Sequence, residues 1–342
     1  MRITILADRL ITAEVWLEHL GIEMPDRRFE TAVYDTAWPD VPFVGNAEIA
    51  EFLGSEEEIA GLVGSAEVIL THHGPVSRRI LEAAPLLKAV GCCRTGPVNV
   101  NVVEAARRGI PVLFSPGHNS PAVAEFTVGM MLALIKRISL AHRCLRDGVW
   151  RGDFYRYDVC NLNLSQMAVG LIGFGAIGKL VFDLLKGFGC RLLVYDPFVQ
   201  KSGATDGRNA QFVSMEELLA QADIVSLHAR VTAETKGMMG AAQFARMRKG
   251  SFLVNTARGP LVDYKALYDA LASGHLGGAA LDCHEKEPVE AGDRLLALDN
   301  VLATPHIAGA SRLTAHRAAG TVVQDLKRLL DGEAVLYRAG PK

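Results

Sequence analysis

The 342-residue chain has no surplus of either charge, since 36 Lys and Arg stand against 38 Asp and Glu, a formal net charge of −2. A general nucleic-acid binder would carry a basic excess, so that class is set aside; a local basic pocket for a small anion is not. Cysteine is sparse, with six residues at positions 92, 93, 144, 160, 190 and 283 and no C-x-x-C pair. Neither a disulfide framework nor a zinc knuckle fits that spacing, and free thiols in a reducing, cytoplasmic compartment are expected. No apolar run approaches the ~18 residues of a membrane span. The run Ile3–Ala7 is too short for the apolar stretch of a signal peptide and reads as a first buried strand. Internal repeats and low-complexity tracts are missing too, and Gly203–Asn209 reads as a surface loop.

Apolar residues, by contrast, make up 49% of the chain and charged ones 22%, enough for a sizeable core. The length suggests about two domains. Short apolar runs at Val68–Leu70, Ile110–Phe114, Ala168–Ile172, Leu192–Tyr195, Ile224–Leu227 and Phe252–Val254 read as strands. They lack polar alternation, as strands of a parallel sheet covered on both faces do. Helices are expected between them. One starts at Ser55, a capping residue followed by three glutamates, and others near Ser214 and Asp263. The alternation predicts an α/β fold with right-handed crossovers. Two longer helices are expected, from Ser120 to about Leu145 (Val123, Phe126, Met130, Leu134 and Ile138) and from Ser311 to about Leu330 (Leu313, Val322, Leu326 and Leu330). Broad apolar faces of this kind cross between domains or pack on a partner chain.

Residues 173–178 read Gly173-Phe174-Gly175-Ala176-Ile177-Gly178. G-x-G-x-x-G alone is a weak signal, but here a buried strand runs into it and a helical pattern runs out. Gly173 permits the tight turn, Gly175 lets the backbone approach a pyrophosphate, and Gly178 lets the helix pack on the strand. Ala176 and Ile177 open the helix, whose free N–H groups would face the phosphates. Eighteen residues beyond Gly178 stands Asp196, at the position of the acid that holds the adenosine ribose. A carboxylate there would repel a 2′-phosphate, so NAD is expected rather than NADP.

Downstream, Arg258, Glu287 and His306 each follow an expected strand, and open α/β sheets place ligands at strand carboxyl ends. An Arg fork can hold a carboxylate and polarise an adjacent carbonyl. A His can exchange the proton of a hydroxyl while hydride moves, and a carboxylate beside it favours imidazolium. Singly, each has a plain structural alternative: a loop ion pair, a solvated acid before a turn proline, a strand-end cap.

The chain resembles the D-isomer-specific 2-hydroxyacid dehydrogenase family, in particular its short phosphoglycerate dehydrogenase-like members without an appended regulatory domain. The resemblance rests on the loop Gly91–Asn101, the stretch Asn119–Glu125, the glycine fingerprint, Asn255-Thr256-Ala257-Arg258-Gly259, Ala280-Leu281-Asp282, Glu287-Pro288 and Pro305-His306. It implies two Rossmann-like or flavodoxin-like domains with parallel sheets. An NAD domain at 118–307 would be inserted into a discontinuous substrate domain at 1–117 and 308–342, with the substrate in the cleft. It implies that Arg258 binds the substrate carboxylate, that Glu287 pairs with a catalytic His306, and that Asp282 contacts the nicotinamide carboxamide, with Thr256 also on the cofactor side. Backbone N–H groups around Thr95 and Gly96 would meet the same carboxylate, and the helix from Ser120 would contribute to a homodimer. His73 and Arg94 are candidates for a second anionic group of the substrate; for Arg94 a structural ion pair is the alternative. The implied activity is NAD-dependent oxidation of a small D-2-hydroxy acid or reduction of the 2-keto acid. Glyoxylate or hydroxypyruvate reduction and a non-catalytic NAD-sensing regulator are the alternatives. Cys283 and His284 suggest a metal, but no third ligand lies at suitable spacing, so no metal is expected and both read as pocket walls. Arg230 has no assigned role.

Overall fold

The structure, a computed structural model, describes residues 1–39, 43–160, 163–205 and 207–340. In chain order the strands are β1 (Arg2–Ala7), β2 (Glu30–Asp35), β3 (Val68–Thr71), β4 (Ala89–Cys92), β5 (Val112–Phe114) and β6 (Ala168–Ile172). There follow β7 (Arg191–Tyr195), β8 (Gln211–Phe212), β9 (Ile224–Leu227), β10 (Phe252–Asn255), β11 (Gly278–Leu281), β12 (Val301–Ala303) and β13 (Arg338–Ala339). The chain divides into two compact units, Met1–Asn119 with Ala310–Lys342, and Ser120–Gly309. Each crossing lies two residues beyond the expected one, and residues 341 and 342 of the expected outer segment fall outside the described residues.

In the first unit the sheet order is β13-β5-β4-β3-β1-β2, parallel except for β13. β3 and β4 are buried throughout, as runs without polar alternation require, whereas the edge strand β2 is largely exposed. The expected strand at Ile110 begins at Val112, because Pro111 has no N–H to offer a ladder. The helix Arg312–Leu330 starts where expected, with the Ser311 hydroxyl accepting from the Thr314 N–H. Ala315, Ala318, Val322 and Leu326 join the core of β1, β3 and β4, but Leu313 faces outward, 59% exposed.

In the second unit the sheet order is β12-β11-β10-β9-β6-β7-β8, all parallel. Numbered from β6, this is the doubly wound order in which the chain reverses direction beside its first strand, between β6 and β9. Helices Met215–Gln221 and Tyr264–Ala272 begin at their expected caps, Ser214 and Asp263. The long helix expected from Ser120 to Leu145 is two helices, Ser120–Ile135 and Ile138–Arg146. Arg137 breaks it with a left-handed φ of +54°. Its guanidinium donates to the Val159 carbonyl at 2.8 Å and lies over the Phe154 ring, so a contact from outside the helix holds the break. Ile138, expected on the apolar face, is exposed beyond it. The expected surface loop Gly203–Asn209 is exposed at Gly203 and Gly207, both with positive φ; its Asp206 lies outside the described residues.

Asp325, fully buried on the helix Arg312–Leu330, accepts from the Leu336 N–H at 2.9 Å and the Tyr337 N–H at 2.7 Å. It thereby lays the tail down as β13. Replacing Asp325 with Ala leaves two amides short of a partner and should cost on the order of 2 kcal/mol. Hydrogen exchange at residues 336–339 should rise with it; unchanged protection there would contradict the anchoring role.

Candidate active site

The glycine loop sits where β6 ends. Gly173 has φ +99°, and a Cβ there would come within 2.7 Å of the His228 carbonyl carbon. Only glycine fits where the loop crosses the end of β9, at the point where the strand order reverses. A Cβ on Gly178 would lie 2.3 Å from the Gly173 carbonyl oxygen, so the helix Ala176–Lys186 starts hard against the turn. Gly175 is different, with nothing within 4 Å of an added Cβ, and Gly175 and Ala176 are exposed. Among the described residues no side chain caps this helix, so its first N–H groups are left for a ligand. These features fit the pyrophosphate of a dinucleotide.

Asp196, after β7, accepts from the Phe174 N–H at 2.8 Å through one oxygen and from the Phe198 and Val199 N–H groups at 3.0 Å through the other. It ties the glycine loop to the following helix and keeps lone-pair capacity for a ribose hydroxyl. His228, not singled out from sequence, lies half-buried against this loop. Burial pushes its imidazole down to about 4, so it is neutral, and its Nε2 lies 3.0 Å from the Ser226 hydroxyl.

Arg258, Glu287 and His306 follow β10, β11 and β12, three strands adjacent in the sheet. Neighbouring strands lie about 4.8 Å apart, so the three loops emerge side by side at one sheet edge. The Asn255 side chain shapes the turn after β10, accepting from the Ala257 N–H at 3.0 Å and donating to the Arg258 carbonyl at 2.9 Å. A Cβ on Gly259 would lie 1.8 Å from the His284 carbonyl oxygen, and the Cys283 thiol donates to the Ala257 carbonyl at 3.4 Å. Both flanks of Arg258 therefore touch the loop that carries Glu287. The Arg258 guanidinium is exposed and donates only to the Ala257 carbonyl, with no carboxylate partner among the described residues. Thr256 is buried, and its hydroxyl is 2.7 Å from that of Thr127, pinning the end of β10 to the helix Ser120–Ile135.

His306 Nδ1 lies 2.8 Å from Glu287 Oε2, while Glu287 Oε1 accepts from the His284 N–H at 2.9 Å. Burial pushes the Glu287 carboxyl up, but His306 and the His284 N–H outweigh it and hold it below its usual range. The Cys283 side chain and then Glu287 raise His306 to about 10, against the opposing effect of burial. His306 also has φ +55°, an uncommon conformation for a residue with a side chain. Asp282 holds it there. Fully buried, Asp282 accepts from the Thr304 hydroxyl at 2.7 Å and from the Ile307 and Ala308 N–H groups at 2.9 Å.

His284, expected as a pocket wall, has its Nε2 2.9 Å from the Thr304 carbonyl. Cys283 does have potential co-ligands: its sulfur, a Glu287 oxygen and a His306 nitrogen lie within 4.8 Å of one another. Residue spacing hid this, because His306 arrives from the next strand.

In the first unit, Arg94 takes its structural alternative. Its guanidinium pairs with the Glu51 carboxylate and donates to the Glu51 carbonyl at 3.0 Å and to His73 Nδ1 at 2.9 Å. His73 is buried beside Trp38 and Phe43, with ring centroids 4.7 and 4.5 Å away. Burial, His72 and Arg94 push it well below its ordinary value, so it is neutral. Thr95 and Gly96 are exposed, and among the described residues their N–H groups have no acceptor. Arg230 is exposed after β9, and nothing here explains it.

Residues 128–308 match the family model described as the NAD binding domain of D-isomer specific 2-hydroxyacid dehydrogenases. The chain is 39% identical over 292 residues to a D-3-phosphoglycerate dehydrogenase of Methanocaldococcus jannaschii, spanning 85% of this chain but only 54% of that enzyme. It is 38% identical over 259 residues to a glyoxylate reductase of Korarchaeum cryptofilum, spanning 76% and 78%. The crystal structure of the TT0316 protein from Thermus thermophilus superposes with a TM-score of 0.80 at 30% identity, over 99% of this chain and 100% of that one. With the glycine loop fitted to NAD and the fold matched throughout, the chain belongs to the D-isomer specific 2-hydroxyacid dehydrogenases, a family of NAD-dependent oxidoreductases.

Proposed function

We propose that this chain reduces a small, unphosphorylated 2-keto acid of the glyoxylate or hydroxypyruvate kind to the D-2-hydroxy acid, or runs the reverse oxidation. The observation that carries this reading is the 2.8 Å His306–Glu287 pair one strand away from an Arg258 with no carboxylate partner among the described residues. NAD, when bound, supplies the hydride acceptor or donor. Gly173, Gly175, Ala176, Ile177 and Gly178 would hold its pyrophosphate and Asp196 its ribose, in preference to NADP. Thr256 and Asp282 would stand on the nicotinamide side, although much of Asp282's acceptor capacity already serves the His306 loop.

Arg258 would grip the substrate carboxylate as a fork and draw electron density from the adjacent carbonyl. His306, protonated at neutral pH, would give its proton to the forming hydroxyl oxygen, and Glu287 would stabilise the charged ring before transfer. The exposed Thr95 and Gly96 N–H groups, which have no acceptor among the described residues, would serve an anion. A phosphorylated substrate is disfavoured because Arg94 is already neutralised by Glu51 and His73 is neutral. The free state of the described cysteines supports a cytoplasmic location. For a homodimer the support is an exposed aromatic stretch, with Trp150 83%, Tyr155 96% and Tyr157 98% exposed.

NADH oxidation across a panel of 2-keto acids is the direct test; turnover confined to a phosphorylated substrate would reject the substrate class. His306→Ala should lower kcat by about 10²–10⁴-fold while NADH still binds, measured by nucleotide fluorescence. Undiminished turnover would remove His306 from the reaction.

For reduction the protonated imidazole is the active form. Activity should therefore hold on the acid side and fall as pH rises through about 10. Glu287→Gln withdraws the charge that favours imidazolium, so this limb should move to lower pH; a limb that stays put would mean Glu287 does not tune His306. Trp150→Asp should yield monomers by light scattering, and an unchanged mass would place any dimer contact elsewhere.

A further inference from the structure

The cluster of Cys283, Glu287 and His306 offers three donor types at one point, a sulfur, a carboxylate oxygen and an imidazole nitrogen, all within 4.8 Å of one another. Zinc-class cations take this mixture, with Zn–S near 2.3 Å and Zn–N and Zn–O near 2.0–2.2 Å. Around a tetrahedral ion such ligands stand roughly 3.3–3.6 Å apart. The widest spacing the cluster can have exceeds this by about an ångström. Glu287 and His306 are about 40% exposed, so an ion can reach the site although Cys283 is itself buried.

A second three-donor group, Asp8, His72 and His73, is less suited. One oxygen of Asp8 already accepts from the Leu10 and Ile11 N–H groups, the other lies 2.6 Å from His72, and the Arg94 guanidinium donates to His73 at 2.9 Å. A resident cation there opposes another.

We propose that Cys283, Glu287 and His306 form a binding site for a thiophilic divalent cation of the zinc class, and that occupancy switches the enzyme off. On binding, the Cys283 thiol and the His306 imidazolium each give a proton to water, and the sulfur takes the metal in place of the Ala257 carbonyl contact. The neutral imidazole and the carboxylate exchange their mutual hydrogen bond for the ion. The fourth position is left to water or a substrate carboxylate. With Nδ1 on the metal, His306 is no longer an imidazolium, and the proton left on its other ring nitrogen is too weakly acidic to serve as the proton donor. That inhibitory consequence rests on the role proposed above for His306; the binding itself does not.

The test uses the intact chain without added nucleotide, titrated with Zn²⁺ by calorimetry and with Co²⁺ by absorption. One equivalent should bind, and Co²⁺ should show a near-ultraviolet sulfur-to-metal band. Cys283→Ser, close in shape but a poor ligand, should abolish that band and weaken Zn²⁺ binding by more than about 100-fold, beyond the usual cost of losing an outer partner. In steady state, Zn²⁺ should inhibit the native protein, and the variant should need at least about 100-fold more, each compared with its own metal-free rate. Binding or inhibition undiminished in Cys283→Ser, or a Co²⁺ complex with no sulfur band, would overturn the site. Matching thermal melts of the two proteins keep a folding defect from passing as metal loss. Absence of turnover on every 2-keto acid would sink the dehydrogenase reading but leave the binding measurements to decide the site.

Discussion

A single buried carboxylate governs the chemistry of this molecule. Asp282 has no access to water, so it is tolerable only if its oxygens are met by donors. All three donors come from the segment that carries His306, namely Thr304, Ile307 and Ala308. Burying the charge and placing the imidazole are therefore one event. The left-handed backbone of His306 is held in place by this arrangement, which over-determines its neighbours on both sides. The loop from β11 reaches across to the loop from β12 three times, through Asp282, through the His284 ring on the Thr304 carbonyl and through Glu287 on His306.

Electrostatics divide the labour between the two units. In the second, Arg258 is held by its backbone turn and its charge is left uncompensated by any carboxylate among the described residues, while His306 is pushed toward its charged form. In the first, Arg94 is occupied by Glu51, and His73 is kept uncharged by burial, His72 and Arg94. A cation that is to receive an anionic ligand must not already be paired with a carboxylate, and only Arg258 of these two meets that condition.

Much of this was legible in the sequence wherever the cause is local. Caps at Ser55, Ser214, Asp263 and Ser311 announce helices because a side-chain oxygen meets an amide two or three residues on. Fully apolar runs announce buried parallel strands, and the glycine loop announces its turn because no Cβ fits at Gly173 or Gly178. What escaped depends on tertiary neighbours. The break at Arg137 is held by the Val159 carbonyl. The pairing of Arg94 with Glu51 joins residues 43 positions apart. The meeting of Cys283 with His306 requires knowing that β11 and β12 are adjacent, which no residue spacing states.

The short strand β13 closes a sheet edge. β5, only three residues long, would otherwise present its amides and carbonyls to solvent on that side, and an uncovered edge is a template on which other chains can add strands. The tail thus acts as a selvedge for the first unit. Losing this pairing would fray that margin and turn a question of catalysis into one of aggregation.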